Sequence, residues 1–261
     1  MSSAGGPAAL VTGATSGIGL AVARALAESG HRLFICARSA ADVAETVKSL
    51  RAEGYDADGR DCDVRSLDDV RALVRCAVDR YGRVDVLVNN AGRSGGGVTA
   101  ELSDELWNDV IETNLGGVFR TTREVLARGG ILGSPRGRIV NIASTAGKQG
   151  VVLGAPYTAS KHGVVGFTKS LGLELAGTGV TVNAVCPGYV ETPMAQRVRR
   201  GYADHWGVTE EDVLKRFRAK IPLGRYAVPE EVAGMVAYLV SEAAGATTAQ
   251  ALNVCGGLGN Y

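Results

Sequence analysis

Tyr157 and Lys161 stand four residues apart in a stretch, 155–176, whose apolar spacing predicts a helix, so their side chains share one face. A phenol beside an ammonium is a candidate acid. Free tyrosine titrates near 10, but at about 4 Å and an effective dielectric of about 20 opposite charges attract by roughly 4 kcal/mol. That is on the order of three pKa units, enough to bring the Tyr157 phenol toward neutrality. Ser144, closing a predicted strand, could then hydrogen-bond a substrate carbonyl while Tyr157 protonates its oxygen as hydride arrives, and Asn114 would complete a proton relay. The competing reading is an exposed helix face with a half-buried tyrosine, a pattern common by chance. What favours the chemistry is the company the pair keeps.

That company is a nucleotide-type turn. Thr12-Gly13-Ala14-Thr15-Ser16-Gly17-Ile18-Gly19 follows an apolar strand and opens a helix. Glycine there lets the backbone approach a pyrophosphate, and the free N–H groups and dipole of the helix start favour that anion. Glycine turns also join strands to helices for packing alone, so the context carries the assignment. NAD sites usually end the second strand with a carboxylate for the ribose 2′-OH. Here that strand ends Cys36-Ala37-Arg38, and a guanidinium able to grip a 2′-phosphate predicts NADPH/NADP+ over NADH. An ordinary solvated arginine is the alternative. Asp63 with Val64, after a third strand, is expected at the adenine, and Asn90-Ala91-Gly92, after the fourth, along the cofactor.

The elements that must position these residues alternate. Residues 8–12, 33–37, 86–89, 138–143, 181–186 and 249–254 read as strands. Residues 18–29, 40–53, 67–80, 104–126, 155–176 and 229–239 carry helical periodicity. Uniformly apolar strands between helices predict an α/β fold, one Rossmann-like domain over 1–261 with a doubly wound parallel sheet covered by helices on both faces. Residues 188–228 break the rhythm and are expected to form a small helical lid. With 28 Lys+Arg against 27 Asp+Glu, no global field recruits nucleic acid or an anionic membrane. The five scattered cysteines show no zinc or disulfide pattern, and no stretch approaches the roughly 18 apolar residues of a membrane span. A soluble cytoplasmic protein without metal or nucleic acid is expected.

The ordered set resembles the short-chain dehydrogenase/reductase family: Thr12 to Gly19 matches its cofactor turn, Asn89-Asn90-Ala91-Gly92 its strand-four motif, and Asn114, Ser144, Tyr157 and Lys161 its catalytic tetrad. Pro187-Gly188, with Val190 and Thr192, fits its next cofactor contact. The resemblance implies those roles and a homotetramer built on the long helices.

Within the family the chain looks like the ketoreductases of aromatic (type II) polyketide synthesis, of the actinorhodin type. Three stretches carry this: Asn90-Ala91-Gly92-Arg93 with Gly95-Gly96-Gly97, Ala143-Ser144-Thr145-Ala146-Gly147-Lys148-Gln149-Gly150, and Asn253-Val254-Cys255-Gly256-Gly257-Leu258-Gly259-Asn260-Tyr261. The resemblance implies a poly-β-ketone on an acyl carrier protein as substrate, a pocket for a folded acyl chain and a basic mouth for the phosphopantetheine arm. Arg93 is the first candidate for its phosphate, with Lys148 and the arginines at 197–200 behind it. Ser94, Gly95, Gly96, Gln149, Met194, Tyr202 and Trp206 are expected near the substrate, although an aromatic on a helix is as readily plain core. Ser94 departs from an expected proline, which leaves the loop less stiff and the alcohol's stereochemistry open. His162 and His205 have no partner pattern. A 3-oxoacyl carrier-protein reductase of fatty acid synthesis shares fold, cofactor and tetrad, and a non-catalytic NADP(H)-sensing regulator shares the fold.

Overall fold

Runs that are largely apolar in all but the third case form strands β1 (Ala8–Thr12), β2 (Arg32–Ala37), β3 (Ala57–Asp61), β4 (Val86–Asn89), β5 (Arg138–Ile142), β6 (Thr181–Pro187) and β7 (Ala251–Val254). The computed structural model describes residues 5–259 and Tyr261; residues 1–4 and Asn260, the latter within the C-terminal motif above, lie outside the described residues. All neighbouring strands pair in parallel, in one seven-stranded sheet of order β3-β2-β1-β4-β5-β6-β7. Side chains alternate between the faces because the strand period is two. Ala9, Val11, Leu33, Ile35, Val86 and Val88 pack on one side, and Ala8, Leu10, Phe34, Cys36 and Leu87 on the other. Helices α1 (Gly17–Glu28), α2 (Ala40–Ala52) and α9 (Pro229–Val240) cover the first face. Helices α3 (Leu67–Tyr81), α5 (Gly117–Arg128) and α6 (Ala155–Leu175) cover the second. This is the doubly wound α/β architecture expected.

Two details differ from the reading of the sequence. The third strand, Ala57-Asp58-Gly59-Arg60-Asp61, is polar because it is an edge strand with a single paired neighbour. The expected helix 104–126 is two helices, α4 (Asp104–Ile111) and α5, joined by a π-helical turn at Glu112–Gly116. Such turns recur at functional sites, and this one carries Asn114. Beyond β6, α7 (Pro193–Trp206) and α8 (Glu210–Arg218) form a satellite with its own core, Ala203, Val213, Phe217, Ile221 and Tyr226. Among the described residues no helix is long and apolar enough to cross a membrane.

The strand order reverses between β1, which pairs with both β2 and β4, and β4 itself. A doubly wound sheet opens a crevice at that point, outside the carboxyl ends of its strands. Every chemical residue singled out above follows a strand end or lies on a helix beside it.

Candidate active site

The glycine turn is built by close approach. Gly13 has φ +66°, and a Cβ at Gly19 would lie 2.1 Å from the Gly13 carbonyl oxygen and 2.4 Å from Asn90 Nδ2. Asn90 Nδ2 donates to the Thr12 and Gly13 carbonyls at 3.0 and 2.9 Å, and Thr12 Oγ1 accepts the Asn90 and Ala91 amides, both at 3.0 Å. Turn and strand-four loop therefore move as one. Ser16 precedes α1 with a hydroxyl that caps nothing, and no acidic side chain occupies the first helical turn. The cradle fits a nucleotide pyrophosphate: backbone donors, a free hydroxyl and the positive end of a helix dipole. Thr15 and Ile18 are half-buried within it. Thr192 caps α7, and its methyl lies 3.3 Å from where a Gly17 side chain would begin, across the crevice. Val190 bridges Ala227 below it, and Gly188 packs on Cys255. Gly19→Ala must displace the turn. The expected cost is about 1–3 kcal/mol, roughly 10- to 100-fold in NADPH affinity by fluorescence titration.

At the adenosine end, Arg38 is exposed and makes no ion pair among the described residues. It directly precedes Ser39, the N-cap of α2, so a guanidinium and a helix dipole point to the same place. Asp63 sits there too, but its carboxylate is held by Arg65, bonded at 2.6 and 3.0 Å, and that pairing keeps it below the usual carboxylate range. Its backbone and buried Val64, which packs on Gly117, are the surfaces there that could face an adenine.

The tetrad comes together beneath the crevice. A Cβ at Gly92 would lie 3.2 Å from Asn114 Oδ1 and 3.8 Å from Lys161 Nζ. Asn114 is fully buried; its Oδ1 accepts the Arg93 amide at 2.8 Å, and Nδ2 donates to the Arg93 carbonyl at 3.0 Å and Ser160 Oγ at 3.1 Å. One amide hydrogen thus fastens the loop that follows β4 and the other ties it to α6 through Ser160, so both side-chain donors are engaged. Ser160 was missed from sequence because a serine beside Lys161 carries no signal of its own. Ser144 Oγ accepts from the Ala146 amide at 3.0 Å, and its own proton has a long contact to the Pro187 carbonyl, 3.5 Å, with the Tyr157 phenol oxygen also in reach.

The electrostatics correct one expectation. Burial pushes the Tyr157 phenol above its ordinary value, with the Ser144 hydroxyl as the opposing influence. Burial, and not Lys161, decides its resting form. The ammonium lies 5.8 Å from the Tyr157 ring centroid, donates to the Ile142 carbonyl at 2.7 Å, and is itself lowered by burial to about 8. A low-dielectric site disfavours both charges, and burial outweighs their attraction in the resting protein. The protein alone holds a neutral phenol, which is the form that donates a proton.

The substrate and carrier candidates divide. Arg93 is ion-paired with Asp109, so it would take a carrier phosphate only by exchanging that carboxylate. Lys148 directs its ammonium to the Ala251 carbonyl, Asn253 Oδ1 and the Tyr261 carbonyl at 2.7, 2.8 and 3.2 Å. All its donors fasten the C-terminal segment, which corrects its expected place at the mouth. The arginines at 197–200 are not one patch either: Arg199 turns inward to Glu191 at 2.8 Å, and Arg200 pairs with Glu210 at 3.3 Å. Trp206 stands edge-on to Phe217 at 5.9 Å as part of the satellite core. Tyr202 packs there as well, but its hydroxyl reaches the Val152 carbonyl at 2.5 Å, on the segment leading to Tyr157. Met194 and Gln149 are half-buried, and the Ser94 carbonyl accepts from Arg93 Nε. Gly95 lies against Val110, and Gly96 against the Leu153 carbonyl.

Residues 7–203 match the family described as short chain dehydrogenase. A monensin polyketide synthase putative ketoacyl reductase from Streptomyces virginiae is 70% identical over 253 residues, 97% of each chain. A crystal structure of a variant actinorhodin polyketide ketoreductase with NADPH superposes with a TM-score of 0.95 at 66% identity, covering 98% of both chains. The 3-oxoacyl-[acyl-carrier-protein] reductase FabG of Vibrio cholerae is 37% identical over 253 residues, again 97% of each chain. With the fold, the glycine turn and the clustered tyrosine, lysine, serine and asparagine in agreement, the chain belongs to the short-chain dehydrogenase/reductase family.

Proposed function

We propose that this chain is an NADPH-dependent ketoreductase that reduces one carbonyl of a poly-β-ketone on an acyl carrier protein to a secondary alcohol, in aromatic polyketide antibiotic biosynthesis. The observation that carries the reading is a neutral, half-buried Tyr157 phenol beside Ser144 and Lys161, with a nucleotide cradle marked by Arg38 in the same molecule. Full-length identity of 70% to a polyketide synthase reductase, against 37% to a fatty acid reductase, supports the polyketide substrate over the linear one. A regulator that only sensed NADP(H) would leave the tetrad without a task.

Thr12, Gly13, Thr15, Ser16 and Gly19 would hold the pyrophosphate, Arg38 the 2′-phosphate, Asn90 to Gly92 and Pro187 to Thr192 the remainder. NADPH supplies a hydride equivalent to the ketone carbon when bound. Ser144 and Tyr157 hydrogen-bond the ketone oxygen, and Tyr157 gives it a proton. The Lys161 ammonium then stabilises the phenolate that results. Asn114 holds the loop bearing Gly92 in place. The carrier protein is the macromolecular partner, and exposed Phe119 and Leu173 on α5 and α6 support a tetramer built on those helices. Five free thiols and the lack of a spanning helix among the described residues support a cytoplasmic setting.

The test is NADPH consumption with trans-1-decalone beside a short linear β-ketoacyl thioester, repeated with NADH. Preference for the bicyclic ketone with NADPH is expected; preference for the thioester would move the enzyme to fatty acid synthesis. Turnover of neither, despite NADPH binding, would restore the regulator. A pH profile adds a second check. Burial lowers Lys161 from 10.5 to about 8, so its charge is present below that pH and lost above it. Since kcat/KM for NADPH reports the free enzyme, it is expected to decline as pH rises through about 8.

A further inference from the structure

We infer that Leu153 is a positioning residue whose left-handed backbone, not its side chain, fixes the wall of the ketone pocket and so sets which face of the ketone is reduced. This rests on the ketoreductase reading. Leu153 and Ala249 are the two non-glycine residues with positive φ among those described, at 60° and 59°. Leucine visits that region at a cost, and a bulky residue held there is over-determined by its surroundings. The strain lies in the segment between the Ser144 turn and Tyr157 at the start of α6.

Two successive carbonyls leave this segment for different partners. Val152 O accepts the Tyr202 hydroxyl of α7 at 2.5 Å, and Leu153 O accepts the Gly97 amide at 2.8 Å. A Cβ at Gly96 would lie 1.9 Å from the same Leu153 oxygen, so the two backbones are in direct contact. The loop 92–97 is fixed at its other end by Asn114 on the Arg93 backbone. Val152 and Leu153 together therefore tie the cofactor-side loop and α7 to the segment that leads into Tyr157, and Leu153 holds the loop's end of that tie. Ser94 occupies the place where a proline would stiffen this loop, and the Leu153 carbonyl supplies the rigidity instead. A loop held at both ends presents one wall to a ketone. Released at Gly97, it presents several.

The backbone and side-chain accounts predict opposite orders of variants. Asparagine and glycine adopt positive φ readily, whereas valine and isoleucine keep an apolar side chain but resist it. The experiment is reduction of trans-1-decalone by wild type, Leu153→Asn, Leu153→Gly, Leu153→Val and Leu153→Ile, with the alcohol stereoisomers separated by chiral chromatography and folding checked by circular dichroism. Asn and Gly variants are expected to keep the wild-type isomer ratio within about twofold, and Val and Ile to lower it about tenfold. Gly96→Ala, which pushes on the same carbonyl from the facing loop, is expected to lower it likewise. A ratio preserved in Val and Ile but lost in Asn and Gly would overturn the inference in favour of side-chain packing. An unchanged ratio in all five variants would overturn it too. No turnover by the wild type would instead remove the ketoreductase reading on which the inference stands.

Discussion

Tyr157→Phe is expected to lower kcat for trans-1-decalone about 10³-fold while the NADPH dissociation constant changes by less than about twofold. The substitution deletes one oxygen and keeps the ring, so the packing of α6 against the sheet is untouched. What is lost is the only donor matched to the ketone. The Lys161 ammonium is bound to the Ile142 carbonyl and faces the Tyr157 ring, and the Ser144 proton belongs to an alkyl hydroxyl, a far weaker acid than a phenol. Lys161→Met should differ in kind. It removes the cation that balances the developing phenolate and an ammonium 3.8 Å from where a Gly92 side chain would begin, so both turnover and NADPH affinity should fall. If Tyr157→Phe retained a tenth or more of wild-type kcat, proton delivery would have to come from another group or from water, and the assignment of the acid would fail.

The sheet was legible because its interior strands are apolar on both faces, and Leu10, Ile35, Leu87 and Val140 announce themselves in any window. The edge strand β3 was not delimited, since a strand with one paired neighbour, partly exposed along most of its length, tolerates Asp58, Arg60 and Asp61. The meeting of the candidate catalytic residues was legible for a related reason: Ser144 follows a strand end, and Tyr157 and Lys161 stand at helical spacing, so local order along the chain encodes it. What could not be read was how their charges settle. Helical spacing says that Tyr157 and Lys161 share a face; it does not say that the ammonium turns to the Ile142 carbonyl or that burial outweighs their attraction. The carrier candidates failed in the same way. Lys148 and Arg199 are cations in sequence, but their partners, Asn253 and Glu191, are fixed by tertiary contacts. The strain at Leu153 has no signature in composition at all, because leucine is the wrong residue for the conformation it adopts.

Arg38→Asp is expected to reverse the coenzyme preference, changing the ratio of kcat/KM for NADPH to that for NADH on the order of 10³-fold. Two effects add. Loss of a guanidinium that grips a phosphate removes a charged hydrogen bond of about 1.5–3 kcal/mol, roughly 10- to 100-fold against NADPH. The new carboxylate stands where dinucleotide sites that use NAD accept the ribose 2′-OH, so it also repels the 2′-phosphate and gains a bond to NADH. The exposure of Arg38 argues for the lower end of that range, because water and salt screen its charge. The α2 N-terminus argues the other way: its dipole favours an anion beside Ser39 and would still draw a phosphate in the variant. Raising salt separates the two contributions. Screening weakens the long-range attraction of Arg38 for NADPH and leaves the neutral 2′-OH contact of NADH intact, so the wild-type preference should shrink with ionic strength while its sign is retained. A variant that still preferred NADPH as strongly as wild type would locate the 2′-phosphate away from β2, and the exposed guanidinium would then be only a solvated side chain.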